Sequence, residues 1–85
     1  MSCCSIEAID IVGAIKSGIN DYFRDCEIEK YTPHFTKSEV FDEIMTNHSL
    51  QEVRDCYSLK NNEIPTYSDI SGYAYDICYY YWLWS

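Results

Sequence analysis

Carboxylates are the residues of this 85-residue chain whose type and spacing could do chemistry. Glu7 and Asp10, Asp21 and Asp25, Glu39 with Asp42 and Glu43, and Glu52 with Asp55 stand three or four positions apart. On a helix that spacing projects the members of a pair from one side, with their charges about 6 Å apart. Such pairs could share acid and base work, or reproduce the spacing of successive phosphates along a nucleic-acid strand. With 14 acids against 6 bases and a formal charge of -8, pairs also arise by chance, and the plain reading is a solvated surface that confers solubility.

Other chemistry finds less support. Cys3 and Cys4 are adjacent, whereas a tetrahedral zinc site wants two to four intervening residues, and Cys26, Cys56 and Cys78 stand singly on apolar faces. No metal or other cofactor is expected. Five cysteines with no basic region and apolar run ahead of them read as free thiols in a reducing cytoplasm. Cys26 with His34 and an acid could make a nucleophile and base, but no glycine-rich oxyanion cradle accompanies them. With three glycines in all there is no phosphate loop. No catalytic residue is assigned, and the chain is read as a non-enzyme.

The charge bears on partners. Nucleic-acid affinity comes mostly from Lys and Arg neutralising phosphates, so six bases argue against direct DNA or RNA binding. The same charge disfavours an anionic membrane surface, and the aromatic tail "YAYDICYYYWLWS" is too short and carries Asp76, so it is not expected to span a bilayer. A basic partner is expected, and proteins that bind nucleic acid are the commonest basic surfaces in a cell.

The elements that must position these groups read as helices. A chain of this length forms one domain, residues 1–85, that buries about 60% of its unfolded surface. Ala8, Ile11, Val12, Ile15, Ile19, Tyr22 and Phe23 recur at helical spacing, with Ser5 as N-cap. "RDCEIEKYTPHF" reads as a loop or short extended piece. Thr36 and Glu39 form a capping box for a second helix with Val40, Phe41, Ile44 and Met45 inward and Asn47 as its stop, and Phe35 is placed to staple onto Val40. Ser49 and Glu52 repeat the box for a short third helix, with Leu50, Val53, Cys56 and Tyr57 inward. The last helix begins at Ser68. Its residues Ile70, Tyr73, Ile77, Tyr81 and Trp84 form one stripe, and Tyr75, Tyr79 and Trp82 a second, as in a central helix wrapped by the others. "PHFTKSEVFDEI" and "PTYSDISGYAYDI" echo each other as proline, one residue, aromatic, hydroxyl and helix. The expected fold is an all-α compact bundle of about four helices; the alternative is α+β, with a short strand or hairpin around residues 26–35.

In character the chain resembles the small acidic inhibitors, anti-CRISPR and anti-restriction proteins, that bacteriophages and mobile elements use against host defence. The features that carry the resemblance are the interleaved acids of "NDYFRDCEIE", "SEVFDEI" and "QEVRDCY", the Tyr-rich "YSDISGYAYDICYYY" and the lack of a catalytic motif. It implies stoichiometric binding in the host cytoplasm, often where target DNA would enter a nuclease or surveillance complex. Spacing nominates Asp21, Asp25, Glu39, Asp42, Glu43, Glu52 and Asp55 as a phosphate-mimicking contact with a basic host protein or nucleoprotein complex. A different expectation is a small homo-oligomer, a homodimer in the simplest case, docking through Tyr79, Trp82 and Trp84, since Tyr and Trp are favoured at interface cores.

Overall fold

A computed structural model describes the backbone of residues 10–84 and the side chains of residues 10–81. Four helices follow one another: α1 (Ile11–Glu29), α2 (Lys37–Asn47), α3 (Leu50–Cys56) and α4 (Tyr67–Trp84), with no strand among the described residues. The fold is the expected all-α bundle. The alternative strand or hairpin around 26–35 is excluded, because Cys26–Glu29 complete α1 and the rest of that segment is loop.

The side-chain pattern of α1 explains its length. Ala14, Ile15, Gly18, Ile19, Tyr22 and Cys26 are buried on one face, so the apolar stripe outlasts Phe23 by one turn. The helix ends in a Schellman turn: Tyr31 N–H donates to the Cys26 carbonyl at 2.8 Å and Lys30 N–H to that of Glu27 at 3.3 Å, with Lys30 left-handed at φ 62°. Its start also differs from expectation. Asp10 caps it, accepting from Gly13 N–H at 2.9 Å; Ser5, with Glu7 and Ala8, lies outside the described residues.

Both capping boxes read from the sequence are present. Thr36 and Glu39 exchange hydrogen bonds at 2.8 and 3.1 Å, and Ser49 and Glu52 at 3.0 and 3.4 Å. A third box opens α4, with Asp69 in the acidic role: Thr66 N–H donates to Asp69 Oδ2 at 3.0 Å and Asp69 N–H to Thr66 Oγ1 at 3.1 Å. The last helix therefore begins at Tyr67, not Ser68. The echo between the two proline segments fails in register, because Pro33 stands three residues before its cap and Pro65 one.

Contacts fix the packing. Tyr67 donates to the Gly13 carbonyl, a Cβ on Gly18 would meet Ser71 and Ala74, and Tyr22 meets Tyr75 edge to face. Position advances together along both helices, so α1 and α4 run parallel. Lys37 lies over Phe23 and Lys16 over Phe41, so α2 runs back along α1, and α4 touches each of the other three helices. The parallel pair is possible because α2, α3 and their loops carry the chain back. Ile70, Tyr73, Ala74 and Cys78 are buried on α4. Tyr75 of the second stripe turns half-buried toward α1, whereas Tyr79 stays exposed; the side chains of Trp82 and Trp84 lie outside the described residues. Phe35 anchors the α1–α2 loop among Tyr22, Phe23 and Tyr81, at ring separations of 5.8–6.2 Å. Cys56, expected inward, is exposed, since α3 ends there and its inner face is Val53 with the half-buried Leu50 and Tyr57. No helix among the described residues is long and apolar enough to cross a membrane.

Candidate functional site

The seven nominated carboxylates divide by what they already hold. Asp21 pairs with Arg24 at 3.3 Å, the one Lys or Arg ion pair among the described residues. Asp25, one turn on, accepts a short hydrogen bond from the Tyr75 hydroxyl of α4. That bond, then burial, pushes the Tyr75 phenol up to about 12. Glu43 accepts from Asn47 at 2.6 Å and stands against Tyr81, whose phenol is raised to about 12 by burial first and Glu43 second. Asp21, Asp25 and Glu43 are thus half-buried on the flanks of their helices.

Glu39, Asp42, Glu52 and Asp55 are exposed. Glu39 and Glu52 fill capping boxes at helix starts, where the helix dipole offsets part of their charge. Asp55 accepts from Gln51 at 2.9 Å, a neutral partner that leaves its charge intact. A carboxylate offers about four acceptor positions, so none of these bonds saturates its group. Asp42 has its whole charge facing water.

The junction between α2 and α3 carries the most organised polar cluster. His48 Nδ1 lies 2.9 Å from the Tyr73 hydroxyl and 3.3 Å from Glu52 Oε2. Burial, then Glu52, raises the Tyr73 phenol to about 12. Beside it a cavity of about 140 Å³ is walled mainly by apolar side chains, among them Ile15, Ile44, Val53 and Ile70. The cluster ties the α2–α3 corner to α4. Cys26 is buried in the core while His34 is exposed, and no hydrogen bond joins the thiol–imidazole pair that the sequence suggested. Among the described residues no group of three or more His, Cys, Asp or Glu side chains could hold a metal ion.

Sequence reasoning missed Glu29 and Tyr31, which stand with Asp25 and Tyr75 around one groove. The signal was the i, i+4 spacing of Asp25 and Glu29 beside the buried positions Tyr22 and Cys26. Reading "RDCEIE" as loop concealed it. No protein-family model matches the chain, and no curated protein or solved structure is detectably similar to it.

Proposed function

We propose that the chain is a non-catalytic inhibitor that binds a basic nucleic-acid-binding host defence protein or complex, its carboxylates competing with DNA or RNA for a Lys/Arg-lined groove. This is the mode of action that the resemblance to anti-CRISPR and anti-restriction proteins implies, and it calls for action in the host cytoplasm. The observation that carries the reading is the unspent charge. Fourteen acids face six bases, and Asp21–Arg24 is the one acid–Lys/Arg pair formed among the described residues. The field is therefore available to steer a cationic surface. Capping also holds Glu39 and Glu52 in fixed rotamers, which lowers the entropy cost of using them in an interface.

The test is capture of basic proteins from a nuclease-treated host lysate on the immobilised chain, followed by elution with added duplex DNA or with salt. The reading expects a captured nucleic-acid-binding protein that DNA displaces and that dissociates steeply as salt rises. Asp42→Lys with Asp55→Lys, which leaves every capping box intact, should abolish its capture. Capture that is indifferent to DNA, salt and this double reversal overturns the reading.

Self-association is a second reading, favoured by Tyr79 and Tyr80, which remain 48% and 56% exposed on α4. Solution mass of the full chain against a Tyr79→Ala, Trp82→Ala, Trp84→Ala variant decides it: a dimer that this variant dissociates supports it, and a monomer excludes it.

A further inference from the structure

The end of α1 and the middle of α4 enclose a groove of about 340 Å³. Tyr22, Tyr31, Tyr75 and Tyr79 line it, together with Asp25, Glu29 and the buried Cys26. Among the described residues no basic side chain lines it. Tyr31 and Tyr79 stand 53% and 48% exposed.

Three independent features make this cleft attractive to a cation. Aromatic faces carry negative electrostatic potential and attract ammonium or guanidinium groups. Asp25 and Glu29 are one turn apart on α1 and both reach the cleft. The α1 C-terminus, the negative end of its dipole, lies there as well, and its last turn has no basic residue. An anion would be repelled, and a neutral apolar molecule would strip water from two carboxylates without replacing it.

The site is also held in shape. Tyr75 binds Asp25 Oδ2 and leaves Oδ1 to receive a donor. Tyr22 and Tyr75 brace each other edge to face at 5.6 Å, and the Schellman turn at Lys30 folds Tyr31 back toward Cys26. A planar group that can stack on a ring while directing N–H donors to a carboxylate fits best, and among biological cations that is the guanidinium.

We infer that this groove receives an arginine side chain of the partner protein. The inference deepens the proposed function, and rests on it for the identity of the protein that supplies the arginine. Its test uses acetyl-arginine-amide and the neutral, similarly shaped acetyl-citrulline-amide as probes, followed by aromatic-ring NMR of the full chain. Arginine amide should shift the Tyr31, Tyr75 and Tyr79 ring resonances saturably, and citrulline amide should leave them in place. Asp25→Asn with Glu29→Gln should weaken arginine-amide binding by about tenfold or more, as expected when a charge-assisted bond is lost. Glu29→Gln alone, at an exposed position outside the Tyr75 bond, should weaken it several-fold, and Glu27→Gln on the same helix should not.

Equal shifts with citrulline amide, or undiminished binding in both Glu29 variants, overturn the inference. The arms separate it from the proposed function. Saturable arginine binding in the groove, with partner capture unaffected by reversal of Asp42 and Asp55, upholds the groove and overturns nucleic-acid mimicry. Charge-dependent, DNA-displaceable capture with no arginine binding upholds mimicry and overturns the groove.

Discussion

Gly18 of α1 lies against the backbone of Ser71 in α4 so closely that a Cβ there would stand 2.0 Å from the Ser71 carbonyl oxygen and 2.9 Å from Ala74 Cβ. A glycine inside a helix ordinarily weakens it by about 1 kcal/mol relative to alanine. Here the missing side chain sets the distance between the two longest helices. Gly18→Ala is therefore expected to destabilise the protein despite its better helix propensity, since forced overpacking costs about 1–3 kcal/mol and the clash is with backbone. Gly13→Ala is the control. The nearest atoms to its Cβ would be those of the Asp10 side chain, so a cap of about 1 kcal/mol is exchanged for a similar propensity gain and little net change is expected. Urea denaturation of both variants checks the contrast.

The three capping boxes make a comparable distinction. Thr36→Ala, Ser49→Ala and Thr66→Ala should each cost about 1 kcal/mol in chemical denaturation, the usual value of an N-cap hydroxyl. Ser68→Ala should cost much less, because Ser68 is exposed inside the first turn of α4 and caps nothing. A larger loss at Ser68 than at Thr66 would place the helix start where the sequence suggested.

The starts of α2 and α3 and the end of α2 at Asn47 were legible in this sequence, whereas the starts of α1 and α4 and the end of α1 were not. Thr36 with Glu39 and Ser49 with Glu52 announce themselves because a capping hydroxyl and an acid three residues on are a local chemical requirement. After Pro65 two hydroxyls, Thr66 and Ser68, compete for the cap, and only Thr66 has an acid three residues on, Asp69, with which it closes the box that opens α4. The ends of α1 and α3 are both Schellman turns closed by a residue other than glycine: Lys30 at φ 62° and Ser58 at φ 57°. At the α1 end, with no glycine and a polar run after Phe23, Cys26–Glu29 looked like loop, and the acidic groove they help to form stayed hidden. The Asp25–Tyr75 bond spans fifty positions and no local pattern encodes it.

Those two left-handed residues carry a prediction of their own. A side chain in the left-handed region costs about 1 kcal/mol that glycine avoids, set against the larger unfolded-state entropy of glycine. Lys30→Gly and Ser58→Gly should each be neutral or stabilising by up to about 1 kcal/mol. Glycine at a neighbouring helical position such as Glu27 should destabilise by a similar amount. Thermal melting of the three variants reads the difference.

Thiol reactivity should follow burial. Cys78 is fully enclosed, and burial pushes its thiol up to about 12. At pH 8 its thiolate fraction is on the order of one in 10,000, and the reagent cannot reach it without opening of the structure. Cys56 is exposed at the end of α3. Iodoacetamide labelling with mass mapping should therefore modify Cys56 rapidly in the native protein and Cys78 only at the rate of unfolding. Equal rates would mean that the α1–α4 seam opens readily.

Alkaline pH should dismantle the fold through its tyrosines. Tyr73, Tyr75 and Tyr81 are each raised from 10 to about 12, Tyr75 first by its bond to Asp25 and the other two first by burial. A phenol whose folded pKa lies above its unfolded value keeps its proton more tightly in the native state. Between those values the unfolded chain binds fewer protons, so unfolding is favoured as pH rises. The stabilising contribution is complete below pH 10 and is lost progressively as pH climbs to about 12. Tyr75→Phe removes one of these phenols together with its partner bond. It should lower stability at neutral pH, by about 1–3 kcal/mol for a hydrogen bond to a charged group, and flatten the decline above pH 10. Urea midpoints measured from neutral pH into this range give both effects. An unchanged alkaline slope in Tyr75→Phe would show that the Asp25 bond does not hold that proton.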